Sequence, residues 1–369
     1  MKVRCEKSEL SQAIGTVQRA VSGRSTLPIL SNILIQTVEG KLRLLAYDLE
    51  IGIQCEVPVS IEAEGSTTVP ARILSEVVAA LPEAELSIEV DEDNKVTLVC
   101  EKSNYTIHGL PAEEFPALPA IQDDPALEVS RVTLRQMIRQ TSFASSVDET
   151  RPILTGILTT CDGSRLTMVA TDTHRLAWAW SDLPGEAREL SAIVPARAYN
   201  ELFRLLGSDE DQPCSILLSE SQAQFVVDNV VLQSRLIEGQ FPNWEKVIPR
   251  EQDKRVTCDT KALTTALRRA AIVAREDTNK VVLDIQPDTL TISADSHDIG
   301  TAREELPIEL EGEALKIAFN ARYLLDALAV IESDTVILEL KNDLDPAVLR
   351  AAESEQFTYV LMPMQLSSG

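Results

Sequence analysis

Short alternating runs of apolar and polar residues dominate the chain, broken at long intervals by helical spacing. In the first 120 residues the alternation predicts a strand at 3–6 and further strands near 33–38, 42–47 and 53–59. A short extended piece follows at 67–69, then strands at 86–90, 96–100 and 105–110, with Asp93-Asn94 as a turn. Leu10, Ile14 and Val17 fall at helical spacing and predict a helix over 8–21 with Ser8 as its N-cap. Pro70 opens a second helix over 71–81, which Pro82 closes. Two helices and about eight strands result, one helix in each half, as if the unit were itself doubled.

The same pattern returns twice. The stretch from Arg151 to Trp178 reads as two strands around a turn at Asp162-Gly163, ending at a corner, Thr171-Asp172-Thr173-His174-Arg175. Leu27 to Gly52 has the same plan, and both Pro28 to Pro152 and Asp48 to Asp172 are 124 residues apart. A third, worn copy runs from Asn279 to Ala302, with Asp295 123 residues after Asp172. Val69-Pro70-Ala71-Arg72 returns as Val194-Pro195-Ala196-Arg197 and as Phe319-Asn320-Ala321-Arg322, at intervals of 125. Phe115-Pro116 returns as Phe241-Pro242 after 126. A period this long suits a whole domain rather than a solenoid unit. The chain therefore divides into three tandem copies, 1–120, 125–249 and 254–369, with irregular linkers at 115–124 and 245–253. Helices are expected at 133–146 and 196–206 in the second copy and at 260–275 and 321–331 in the third. Residues 367–369 are expected to fray.

Composition narrows the class. A hydrophobic content of 44% is ordinary for a globular protein. No apolar run reaches the length of a membrane span, and the first residues lead into a strand rather than a signal peptide. Cys5, Cys55, Cys100, Cys161, Cys214 and Cys258 are scattered, which fits reduced structural thiols in a cytoplasmic protein. The net charge of −24 argues against a nucleic-acid partner until it is resolved by element. The six predicted helices hold eleven basic residues against four acidic ones, a net of +7, which leaves −31 for the rest of the chain. Exposed helix faces often collect such charge without function. The sharper reading is that all six helices face one polyanion.

Catalytic signatures are missing. There is no phosphate-binding glycine loop, no nucleophile elbow and no zinc-protease motif. Asp172 and His174 are the most tempting pair, but a carboxylate that accepts backbone N–H bonds at a strand corner explains Asp172 better. Three histidines in all make a metal site implausible, and no cofactor is expected. A nuclease would need carboxylates converging in one domain. A static scaffold would have no reason for basic helices.

The chain resembles the bacterial DNA polymerase III beta subunit, the sliding-clamp family, over essentially its whole length. The resemblance is carried by Thr26-Leu27-Pro28-Ile29-Leu30, Val69-Pro70-Ala71-Arg72, Ala170 to Leu176, Phe241-Pro242 and the ending Val360 to Leu366. It implies an α+β fold of three clamp domains, each with two helices packed on antiparallel sheets, closed into a ring as a head-to-tail homodimer. Twelve helices about 10 Å wide would leave an opening of roughly 28 Å, whereas six would leave roughly 9 Å. Duplex DNA, roughly 20 Å across, passes only the larger. The implied function is non-catalytic: a ring that encircles duplex DNA and tethers the replicative polymerase, with the polymerase III alpha subunit, the clamp loader and other clamp-binding-motif proteins as partners and no membrane. Expected DNA contacts are Arg24, Arg72, Arg151 and Arg197. Tyr105, Ile272 and Val273 match interface positions. The partner-peptide pocket would use Leu154, Thr171, His174, Arg175, Leu176, Pro242 and Val247, together with Val360, Met362, Pro363, Met364 and Leu366. Lys246 and Gln365 stand where relatives carry arginine.

Overall fold

The computed structural model describes residues 1–21, 27–119, 121, 127–185, 187–207, 212–275 and 278–366. Arg24 and the expected frayed end, 367–369, lie outside them, as does part of the first linker. The first repeat comprises β1 (Lys2–Glu6), α1 (Lys7–Val17), β2 (Asn32–Val38), β3 (Lys41–Tyr47), β4 (Ile51–Pro58), β5 (Ser60–Ala63), β6 (Ser66–Pro70), α2 (Ala71–Ala80), β7 (Glu85–Val90), β8 (Lys95–Cys100) and β9 (Ser103–His108). The second comprises β10 (Leu127–Ser130), α3 (Arg131–Thr141), β11 (Gly156–Cys161), β12 (Arg165–Thr171), β13 (Arg175–Asp182), β14 (Leu190–Pro195), α4 (Ala196–Leu205), β15 (Pro213–Leu218), β16 (Gln222–Val227) and β17 (Val230–Arg235). The third comprises β18 (Lys254–Asp259), α5 (Thr260–Ala274), β19 (Lys280–Ile285), β20 (Thr289–Ser296), β21 (Gly300–Pro307), β22 (Glu309–Glu311), β23 (Leu315–Asn320), α6 (Ala321–Leu328), β24 (Thr335–Leu340), β25 (Ala347–Ala351) and β26 (Phe357–Leu361).

The chain forms two compact units, residues 1–132 with 197–236, and residues 133–196 with 237–369. The middle repeat is shared between them because each of its halves continues a neighbour's sheet. In the first unit one sheet runs β5-β1-β7-β8-β9 and the other β10-β15-β16-β17-β4-β3-β2-β6. In the second unit one runs β14-β11-β12-β13-β26-β25-β24-β18-β22 and the other β21-β20-β19-β23. Among the described residues all strand pairs are antiparallel, and helices pack against the sheets. Leu10, Ala13, Ile14 and Val17 turn the apolar side of α1 inward, and Leu263, Ala266, Leu267, Ala270 and Ala274 do so for α5.

Several local expectations change. Ser8 lies inside α1, whose N-cap position is Glu6 without a side-chain cap. Lys7 N donates instead to Ala84 O at 3.3 Å, so neighbouring backbone serves the helix start. The helix expected to reach residue 21 tightens into a 3-10 turn at Gln18–Ala20, and α3 does the same at Ser142–Ala144. The repeated Pro-Ile-Leu segments form 3-10 turns, Pro28–Ser31 and Pro152–Thr155, with proline at the first turn. The six cysteines are free and buried. Burial pushes the Cys5, Cys214 and Cys258 thiols up to about 12 and that of Cys55 up to about 11, so they do not ionise near neutrality.

Candidate functional site: a groove beside the strand corner of the second repeat

The corner at Asp172 is built by its own carboxylate. Asp172 Oδ1 accepts the N–H groups of His174 (2.9 Å) and Arg175 (3.0 Å). Thr171 Oγ1 donates to Arg175 O at 2.7 Å and accepts Thr173 N at 3.2 Å. These bonds hold Thr173 in the left-handed region, φ 78°. Asp48 does the same in the first repeat, accepting Glu50 N (3.0 Å) and Ile51 N (2.8 Å), with Leu49 at φ 78°. The third repeat departs from the corner that the spacing of Asp295 after Asp172 predicts. Asp295 stays in β20, paired with Thr301, and the corner is longer.

Arg175 locks this corner to the third repeat. Its Nε meets Asp172 Oδ2 at 3.0 Å, one terminal nitrogen meets Asp326 Oδ2 at 2.6 Å, and the other donates to Phe143 O at 2.6 Å. The guanidinium also lies 4.3 Å from the Tyr323 ring centroid. Its side chain is only 10% exposed, so both carboxylates depend on it. Removing one partner of such a buried network costs about 3–5 kcal/mol. Arg175→Ala is therefore expected to lower the unfolding free energy, read from denaturant titration, by that amount. A change under about 1 kcal/mol, the range of an exposed pair, would contradict this role.

From the corner, β13 pairs with β26: Arg175 opposite Leu361, Leu176 opposite Val360, and Met362 N donating to His174 O at 2.9 Å. Beneath lies an apolar cluster of Val169, Leu176, Ile193, Phe241, Val348 and Val360, edged by Ile153, Leu158, Trp178, Ile237, Trp244 and Ile248. Phe241 is buried while Pro242 is exposed, so the repeated Phe-Pro pins the linker with its aromatic ring. Val247 and Met362 remain 44% and 39% exposed and line a groove of about 770 Å³ with Lys246, Ile248, Pro346 and Gln252. More than half of its lining is polar, including Glu245, Arg250, Glu251, Lys341 and Asp345, so it offers a short peptide apolar contacts at Val247, Ile248, Pro346 and Met362 beside charged ones, and methionine adapts to several ligands.

Arg175 and Leu176 on β13 lie opposite Leu361 and Val360, Thr171 lies opposite Leu176 on β12, and Met362 follows β26, while of the expected pocket residues Val247 and Met362 line the groove itself. Leu154 is buried in the 3-10 turn beside Arg151. Pro363 and Met364 follow along the tail, where Met364 N donates to Ala318 O at 2.8 Å. Leu366 lines a different cleft, on the sheet of β19 to β21 and β23. Trp244, Ile248 and Pro346 were missed in the sequence. Phe-Pro signalled the first two indirectly, and nothing marked Pro346.

Among the described residues, the expected DNA contacts Arg72, Arg151 and Arg197 are surface groups with local partners. Arg72 Nε meets Glu76 at 2.8 Å, with the arginine side chain 86% exposed. Arg151 meets Asp148 at 3.1 Å. Arg197 meets Asp48 Oδ2 at 2.6 Å, which ties α4 to the corner of the first repeat. Tyr105 and Ile272 are exposed and Val273 half-buried, so none of the three is a core residue. No described helix is long and apolar enough to cross a membrane.

Three family models tile the chain: the N-terminal, central and C-terminal domains of the DNA polymerase III beta subunit match residues 1–119, 128–243 and 245–365. The chain belongs to the DNA polymerase III beta subunit family. Similar proteins include the beta sliding clamp of Synechococcus elongatus, 37% identical over 100% of both chains, and that of Bacillus subtilis, 34% identical over 99% of this chain and 100% of the relative. Among solved structures, the Bacillus subtilis DNA polymerase sliding clamp superposes with a TM-score of 0.96 at 33% identity, covering 99% of each chain. The Pseudomonas aeruginosa DNA polymerase III subunit beta gives 0.94 at 33% identity, over 99% of this chain and 100% of that one. The three-domain α+β clamp fold and a DNA clamp function follow from that membership.

Proposed function

We propose that two copies of the chain close head to tail around duplex DNA and tether the replicative polymerase to it. The carrying observation is a strand joint used twice. The last strand of the second repeat, β17, pairs with β4 of the first, and the last strand of the third, β26, pairs with β13 of the second. The corresponding strands left over are β9 of the first repeat and β21 of the third, and both are sheet edges. Unpaired edges are normally protected or used for assembly. One chain offers each edge once, so a partner chain can satisfy both, which is a head-to-tail contact that closes.

The register can be carried over. Leu232 and Tyr359 sit opposite Ile53 and Ala177 at the two joints, and all four are fully buried, at 0% exposure. Tyr105 holds the place of Leu232 in its meander, opposite Leu98 as Leu232 is opposite Phe225. Ala302 holds the place of Ala177, opposite Ala294 as Ala177 is opposite Ala170. Tyr105 is 43% exposed, consistent with a cover that a second chain supplies. Tyr105 would then face Ala302, and Asn104 would face Arg303. Asn104→Cys with Arg303→Cys should join two chains through a short thiol cross-linker, against a low background because the native thiols are buried. Monomers alone after cross-linking would count against this joint.

On this reading the domains are 1–120, 125–249 and 254–369. The ring works topologically in the cytoplasm, without catalysis of its own. Linkage raises the effective concentration of the polymerase at the primer end. Arg24, Arg72, Arg151 and Arg197 meet phosphates without base readout, which permits sliding. The groove beside Met362 takes the peptide motif of the polymerase alpha subunit, the clamp loader and other partners. Replacing the four arginines with alanine should flatten the slope of log binding constant against log salt by about 3–4, close to one per lost phosphate contact. An unchanged slope would remove these residues from the DNA contact.

A further inference from the structure

In the first two repeats the segment after the last strand folds back over the repeat's own sheet. Phe115 and Leu118 pack on Leu34, Leu45 and Tyr47. Phe241 packs in the cluster of Val169, with Leu158 at its edge. Leu34 faces Leu45 across the first hairpin, and Leu158 faces Val169 across the second. The same pair of places in the third repeat holds Val282 and Ser293. These two line a cleft of about 860 Å³, and so does Leu366. β9 ends at His108, β17 at Arg235 and β26 at Leu361, so Phe115, Phe241 and Leu366 follow their strands by seven, six and five residues. Leu366 therefore holds the place of the two aromatic rings. Its seat is the more polar one, since Ser293 stands where the other sheets offer Leu45 and Val169, and Leu366 is half-buried where Phe115 and Phe241 are buried.

Between β26 and this seat lies the part of the tail that lines the groove. Met362 donates its N–H to His174 O at 2.9 Å, and Met364 donates its own to Ala318 O at 2.8 Å. Pro363 between them has no N–H to give. Met362 is 39% exposed, so its own burial does little to fix it. Two backbone bonds do not offset the entropy of ordering residues 362–366. Apolar burial has to supply the rest, and Met364 and Leu366 are the half-buried side chains beyond Pro363. We propose that Leu366 is a positioning residue for the partner groove: it seats the tail on the third repeat and so holds Met362 in the groove lining, without itself meeting the bound peptide. The inference rests on the reading of that groove as the partner site. With β26 at one end and the seat at the other, Met362 is held from both sides. Loosening the seat lowers the fraction of chains with a formed groove, and the apparent affinity falls by the same factor.

The test uses the full-length protein, a fluorescent clamp-motif peptide bearing leucine and phenylalanine, and amide hydrogen exchange. Leu366→Ala should weaken peptide binding about fivefold and speed exchange of the Met364 amide by about the same factor. The amides of β26 should exchange as in the parent, because that strand is paired on both sides. Leu366→Met, which keeps the apolar volume, should restore both readouts. Leu366→Ala added to Met362→Ala should cost less than about twofold beyond Met362→Ala alone, since a residue that acts through Met362 has nothing left to position. Unchanged exchange at Met364, or losses from the two substitutions that simply add, would overturn the proposal. Peptide binding untouched by Met362→Ala would instead sink the partner-groove reading, and exchange at Met364 would still decide whether Leu366 anchors the tail.

Discussion

Deleting residues 362–369 is expected to leave a folded chain that still assembles but has lost its partners. The strand before the cut, β26, is buried at all five positions and remains paired with β13 and β25. The described part of the deleted segment contributes two backbone bonds, Met362 N to His174 O and Met364 N to Ala318 O, worth about 1 kcal/mol each. Met362, by contrast, lines the groove together with Val247. Losing an apolar anchor of the groove removes contacts worth at least about 2 kcal/mol, or more than about thirtyfold in affinity. Titration calorimetry with a polymerase-derived peptide should therefore show binding reduced to that extent or abolished, while the melting transition stays cooperative. Unfolding of the truncated chain would mean that the tail serves the core. Full retention of peptide binding would move the partner site elsewhere.

The second large effect concerns assembly. Ile272 is 58% exposed on α5, and Val273 beside it is half-buried, an apolar pair with little to cover it within the chain. Changing Ile272 to Ala and Val273 to Lys should cost the isolated chain about 0.5 kcal/mol or less at Ile272, as surface changes do. At an interface the same pair would lose its apolar contact and bury an uncompensated ammonium, a penalty of several kcal/mol. If two chains close a ring, sedimentation velocity should show dimers for the parent and folded monomers for the variant at the same concentration. Persistent dimers would place the interface away from α5.

The threefold repeat was legible because each copy needs the same buried alternation, and the first two share the same corner. Asp48 and Asp172 each hold a left-handed residue that is not glycine, and such a position needs a side chain that can bond the turn. Asp295 matched by spacing alone. Its own hairpin keeps it in the ladder, which a one-residue change in corner length decides and composition does not reveal. The short strand β5 was missed because its four residues carry little periodicity and pair with β1 from far along the chain. The joints β17 to β4 and β26 to β13 were invisible for a related reason: pairing between distant strands depends on two edges meeting, and neither edge declares its partner. Beside the groove, Thr171 to Leu176 were readable as one motif, and Val360 and the groove-lining Met362 came with the ending. The role of Arg175 was not, because its anchors, Asp326 and Phe143, belong to other elements. Leu366 sits in the neighbouring cleft because the tail turns onto Ala318 after Pro363.

The central claim is closure around DNA, and topology tests it without reference to any single contact. The protein should be loaded onto a nicked circular duplex, separated from free protein by gel filtration at high salt, and the circle then cut once with a restriction enzyme. A closed ring stays with the intact circle, where screening has weakened phosphate contacts, and leaves when the DNA is linearised. Equal retention on circular and linear DNA, or equal loss from both, would contradict encirclement.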